Sequence, residues 1–135
     1  MDYRNALLSA YFTQLNNNVV IDGSIIEVGT KISDGAKDFI RYFISSDDDR
    51  GTFDHVIREV DVNIDCVSIQ PLTMGDDEIV DEMVDQVKQI ISDISINGWV
   101  TELTLEMGTE TGSGENESEY IVRRTITFKH FIRKR

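Results

Sequence analysis

The sequence predicts an α+β domain: two helices on one face of a mostly antiparallel sheet, in the order α-β-β-β-α-β-β. Three observations carry that expectation. Apolar residues recur at helical spacing over residues 76–94, where Ile79, Val80, Met83, Val84, Val87, Ile90, Ile91 and Ile94 share one face. They recur at a period of two from Val56 to Cys66. The helical patterns stand at the start and the middle of the chain with runs of strand between and after them, rather than alternating with single strands.

Taken in order, Tyr3, Leu7, Leu8, Tyr11, Phe12 and Leu15 form the apolar face of a first helix over residues 3–15, which Asn16-Asn17-Asn18 ends. Val19 to Val28 is extended and interrupted by Asp22-Gly23, so it reads either as one bulged strand or as two short strands around a turn. Gly29 to Lys37, with Asp34-Gly35, is a loop. Asp38 to Ser45 is a strand apolar on both faces, with Phe39 and Phe43 beside Arg41 on one and Ile40, Tyr42 and Ile44 on the other. Asp47-Asp48-Asp49-Arg50-Gly51 is expected to turn the chain into a long strand from Phe53 to about Ile69. On that strand Val56, Val60, Val62, Ile64 and Cys66 lie on a core face with Arg58, and Glu59, Asp61, Asn63 and Asp65 lie on the other.

Pro71 and Gly75 close this strand, and the second helix follows with Asp76, Asp77 and Glu78 in its first turn, where the helix dipole favours acids. Asn97-Gly98 stops it. Trp99, Thr101, Leu103, Leu105 and Met107 then alternate with Val100, Glu102, Thr104 and Glu106 in a further strand. Gly108 to Ser118 holds three Gly and three Glu and no large apolar residue, and is expected to be a mobile hairpin loop. The closing strand puts Tyr120, Val122, Arg124, Ile126, Phe128, His130 and Ile132 on one face, with Ile121, Arg123, Thr125, Thr127, Lys129 and Phe131 on the other.

At 135 residues the chain is expected to be a single domain, residues 1–135, with 40% hydrophobic content and one Pro arguing against disorder. The lone Cys66 rules out an internal disulfide and a multi-cysteine metal cage. Met1-Asp-Tyr-Arg-Asn lacks the basic start and apolar run of a secretory signal, and no apolar run suggests a membrane span. Cys66, among valines and isoleucine, reads as a buried small hydrophobe. His55 and His130 lack neighbours at metal-ligand spacing and read as ordinary strand histidines. Asp47, Asp48 and Asp49 lack the spaced ligands of a calcium loop and read as a solvated turn. No catalytic, cofactor-binding or metal site is expected.

Charge is divided sharply along the chain. The last 16 residues carry six Lys/Arg and no acid, whereas the preceding 119 hold seven bases and all 25 acids, so +6 faces −18. Such a division gives complementary surfaces through which copies could associate head to tail. The candidate interface residues are Arg123, Lys129, Arg133, Lys134 and Arg135 on the basic side. Opposite them stand Asp77, Asp81 and Asp85, spaced i, i+4, i+8 along the second helix. By itself such an acidic row reads first as the solvated side of an amphipathic helix, and second as a docking surface for a basic strand of a neighbouring subunit.

The short first helix, the strand Asp38-Phe-Ile-Arg-Tyr-Phe-Ile-Ser45 and the long strand Arg58-Glu-Val-Asp-Val-Asn-Ile-Asp65 come first. The helix Asp81-Glu-Met-Val-Asp-Gln-Val-Lys-Gln-Ile-Ile91 and the last strand Tyr120-Ile-Val-Arg-Arg-Thr-Ile-Thr-Phe128 follow. Together they resemble the tail-terminator and tail-completion proteins of tailed bacteriophages. The chain is also similar to the small rings that join portal to tail in short-tailed phages, including the crAss-like group. The resemblance implies a virion structural protein, assembled in the host cytoplasm. It would form a homo-oligomeric head-tail connector ring against portal, connector or tail proteins, with DNA passing through without sequence-specific binding. A second reading, from another class, is an acidic intracellular adaptor or inhibitor that binds a basic partner.

Overall fold

A computed structural model describes residues 2–53, 55–72, 77–91, 94–96, 98–115 and 119–134. Helix α1 (Tyr3–Leu15) is followed by five strands, β1 (Val20–Ile21), β2 (Ser24–Ile25), β3 (Glu27–Gly29), β4 (Asp38–Asp49) and β5 (Ile57–Pro71). Helix α2 (Glu78–Ile91) and strands β6 (Trp99–Glu115) and β7 (Glu119–Lys134) complete the α+β fold. The main sheet has the order β3-β4-β5-β7-β6, antiparallel except for the β3–β4 pair. The order thus contains two more strands before α2 than expected, because the segment around Asp22-Gly23 supplies three short strands rather than one.

Local chemistry explains the boundaries. Asp2 caps α1, its carboxylate accepting from the backbone N–H of Arg4 at 2.7 Å and of Asn5 at 3.0 Å. Beyond the helix, Asn17 takes a left-handed φ of 65° that stops propagation. Asp22 (φ 50°) and Gly23 (φ 81°) are the two central residues of a tight hairpin that pairs Ile21 with Ser24.

Both helices cover the same face of the sheet. Buried there are Leu7, Tyr11 and Leu15 from α1, Val80, Met83, Val87 and Ile91 from α2, and Val60, Val62, Ile64, Cys66, Val122, Ile126, Phe128 and Ile132 from β5 and β7. The side-chain amide of Gln86 ties α2 to β1, donating to the carbonyl of Val20 at 2.8 Å while its oxygen accepts from the same residue's N–H at 3.0 Å. The helical period over residues 78–91 and the alternation along β5 therefore point where the sequence predicted.

Several expectations need correction. Residues Asp47–Asp49 belong to β4 rather than to a turn, and β5 starts at Ile57 rather than Phe53, leaving Val56 exposed instead of on the core face. A β-bulge at Ile44/Ser46 changes the phase of β4, so that Asp47 pairs with Val60 on the helix-covered side. Gly108–Glu115, expected to be a mobile loop, is the second half of β6 and pairs with β7 along its length; Asn116 to Ser118 lie outside the described residues. Bulges at Thr101/Leu103 and Glu106/Gly108 also break the alternation of β6, placing Val100, Leu103 and Leu105 across from Arg133, Phe131 and Lys129 on the uncovered face. Phe12 is exposed rather than buried with the rest of its helix face. The predicted helix start at Asp76 and stop at Asn97 fall outside the described residues.

Candidate functional site

The uncovered face of the sheet is built from the odd-numbered residues of β5 and β7 with their partners on β4 and β6. A ladder of cross-strand polar pairs crosses it. Asp65 is almost wholly buried, accepting from Arg41 at 3.1 Å and from the hydroxyl of Thr125 at 2.7 Å. One row further, the Asn63 side-chain oxygen accepts from Ser45 and Thr127, each at 3.0 Å. Next, Glu59 takes hydrogen bonds from Lys129 and, at 2.7 Å, from Arg50, while Asp61 lies 3.6 Å from Lys129. The bond from Lys129, and after it that from Arg50, lowers the Glu59 pKa below the usual carboxylate value. Around this ladder Phe43, Leu103 and Leu105 are exposed.

The predicted interface residues are therefore in varied circumstances. Arg123 is exposed on the uncovered face, opposite Val67 and Gly112. Lys129 is held by Glu59, and Arg133 donates to Glu102 at 2.6 Å. Lys134 is exposed at the end of β7, and Arg135 lies outside the described residues. In the acidic row Asp85 is exposed, but Asp77 and Asp81 lie 3.0 and 3.3 Å from Arg124 of the same chain. Arg124 was missed as their partner because it stands among the core-facing residues of β7, and only the packing of α2 across that face brings the helix's acids above it.

A second cluster lies at the junction of α1 with β4 and β5. Asp47, with its side chain only 8% exposed, accepts from the Tyr3 hydroxyl, from Arg4 at 3.2 Å and from Arg58 at 2.9 Å. Arg58 also stacks on the Tyr3 ring, which meets Trp99 edge-on. Asp47 is thus an anchor for the start of α1 rather than part of a solvated turn. Farther in, buried His130 is bonded to the Tyr11 hydroxyl at 2.5 Å and to Thr104 at 3.1 Å. Burial pushes its pKa down to about 4, so it is neutral at neutral pH. Cys66 is buried as expected, and burial first, then the Asp65 charge, push its thiol up to about 12. Among the described residues no group of His, Cys, Asp and Glu has the arrangement to hold a metal ion, and no helix is long and apolar enough to cross a membrane.

Two further features lie away from the ladder. Between β4 and β5, reciprocal backbone hydrogen bonds at 3.1 and 3.3 Å join Thr52 to His55 across a turn in which Phe53 is fully exposed and Asp54 lies outside the described residues. His55 belongs to this turn and not to a strand. On the side of the molecule where α1 meets β3, an open groove of about 570 Å³ is lined by polar Asn5, Ser9, Thr13 and Lys31 as much as by Leu8, Phe12, Val28 and Tyr42.

The sequence matches no protein-family model and no curated protein. Its fold does have a counterpart. A chain in the structure described as the virion of a native gene transfer agent particle superposes with a TM-score of 0.72 at 12% identity, over 96% of each chain. At that identity the likeness is one of fold.

Proposed function

We propose that this chain is a structural protein of a phage-like virion: a ring-forming head-tail connector, tail terminator or tail-completion subunit surrounding the DNA path. The observation that carries the reading is the coextensive fold shared with a chain of a gene transfer agent virion. The resemblance of the element order to tail-terminator proteins supports it independently of that comparison. The partners are further copies of the chain and the portal, connector or tail proteins of the particle.

The charge distribution fits a conduit. A chain of net charge −12 repels a phosphate backbone, so DNA passes without adhering. The contacts between subunits draw on Arg123, Lys129, Arg133, Lys134 and Arg135 on one side and Asp77, Asp81 and Asp85 on the other. Of the described members, Arg123, Lys134, Asp81 and Asp85 are exposed, Asp81 while lying 3.3 Å from Arg124.

Native mass measurement of the purified chain, with electron microscopy of particles carrying a tagged copy, tests this reading. A closed oligomer and a tag confined to one level of the head-tail axis are expected. A monomer that forms a one-to-one complex with a basic protein, and is absent from particles, points instead to an acidic adaptor or inhibitor.

A further inference from the structure

The β1–β2 hairpin is a rigid knob on the helix-covered side. Asp22 and Gly23 form its two-residue turn, and the Ile26 N–H donates to the Val19 carbonyl at 2.9 Å to close it. Gln86 of α2 bonds both backbone groups of Val20. Ile21 and Ile26 are buried and root the hairpin, whereas the directly opposed pair Val20 and Ile25 is exposed, Ile25 to 60%. Asp22, exposed at the tip, is in no ion pair among the described residues.

Beyond the Asp65 rung of the ladder, the uncovered sheet face turns apolar. There a depression of about 240 Å³ is floored by Phe39, Val67, Ile69 and Ile121, with Arg41 and Arg123 at its rim. Its size suits aliphatic side chains better than a small-molecule ligand, whose sites run to about 300–1,000 Å³. The Arg41 charge is met by Asp65, 3.1 Å away. Exposed Arg123 has no such partner among the described residues, and Arg124, not Arg123, engages Asp77 and Asp81.

We infer that the β1–β2 hairpin of one copy seats Ile25 and Val20 in the Phe39–Val67–Ile69–Ile121 depression of the next, with Asp22 meeting Arg123. This rests on the ring reading above and deepens it by naming an apolar contact and the acid that takes up Arg123. Knob and depression lie on opposite faces of the sheet, so the contact is heterologous, and each copy keeps one of each to spare until a ring closes. An apolar centre with a charged rim is the common arrangement of a protein interface, and the rim pair fixes its register.

The test uses the full chain. Ile25→Thr, at an exposed position and with the β-branch kept, is expected to leave thermal unfolding unchanged and to weaken self-association by roughly tenfold, read by sedimentation. Asp22→Asn, which tolerates the same left-handed backbone, and Arg123→Ser are each expected to weaken it by roughly threefold, and the double variant by no more than either alone. In a chain carrying both Ile25→Cys and Ile121→Cys, mild oxidation is expected to give a ladder of linked oligomers, with buried Cys66 taking no part. A closed oligomer unchanged by Ile25→Thr and giving no ladder overturns the hairpin contact while the ring reading stands. So does Ile25→Cys alone yielding linked dimers, which indicates a symmetric contact, or an Ile25→Thr oligomer that forms normally but is lost from particles, which assigns the hairpin to another virion protein. A wild-type chain monomeric at every concentration, and in particles, overturns both the contact and the ring.

Discussion

The two faces of β5 differ as much as two regions of one strand can. On the helix-covered side Val60, Val62, Ile64 and Cys66 are wholly buried against α1 and α2. On the other side Glu59, Asp61, Asn63 and Asp65 form a ladder of cross-strand hydrogen bonds and ion pairs with β4 and β7. Burial of apolar area is non-directional and large, so the covered face supplies most of the stability. Partly exposed polar pairs contribute little each, but they are specific to one register. The ladder thus aligns the strands while leaving this face polar and uncovered by the helices.

The largest test of this contrast is Val87→Asp, which places an unpaired charge in the core beneath α2. It is expected to cost on the order of 4 kcal/mol in urea unfolding, whereas Asp85→Asn on the solvent side of the same helix should stay within about 0.5 kcal/mol. Equal losses from the two would break the assignment of faces.

Next in size is the pH response of the covered face. His130 has a folded pKa lowered to about 4 against an ordinary 6.5, so the unfolded chain binds the extra proton between those values. The stability it allows is complete above pH 6.5 and is lost as pH falls through that window, by roughly 3.5 kcal/mol at most given about 1.4 kcal/mol per unit. Stability measured between pH 7 and 4 should fall less steeply in His130→Gln than in the wild type. Parallel curves would show that the buried histidine does not carry the dependence.

Smaller still, Tyr11→Phe leaves the His130 ring nitrogen without its 2.5 Å partner and should cost about 1–2 kcal/mol at neutral pH. On the open face, Thr127→Ala removes one 3.0 Å bond to Asn63 and should cost less than about 1 kcal/mol. If Thr127→Ala proved as costly as Tyr11→Phe, the open face would be a second source of stability rather than an aligning surface.

The sequence was most legible where a pattern is local. The α2 face and the β5 alternation could be read directly because helix and strand periods are properties of a short segment. The Asp22-Gly23 turn was legible too, though only as one of two alternatives. Less legible was Asp47, whose inward direction depends on the bulge at Ile44/Ser46 and thus on how β4 registers against β5. The candidate interface was readable as a charge division but not as a set of accessible residues. Arg124 takes up Asp77 and Asp81, and Glu59 and Glu102 take up Lys129 and Arg133.

By itself, then, the sequence determined the two amphipathic elements, the in-and-out alternation of the long strands and the separation of +6 from −18. Tertiary structure alone decided that Gly108–Glu115 is a strand, which of the charges neutralise one another, and that Phe53 and Phe12 remain outside the core. The physical reason is that pairing is non-local. A strand is made by the backbone hydrogen bonds of its partner, to which glycine contributes as well as any residue, and an ion pair is made by whatever element packs above it.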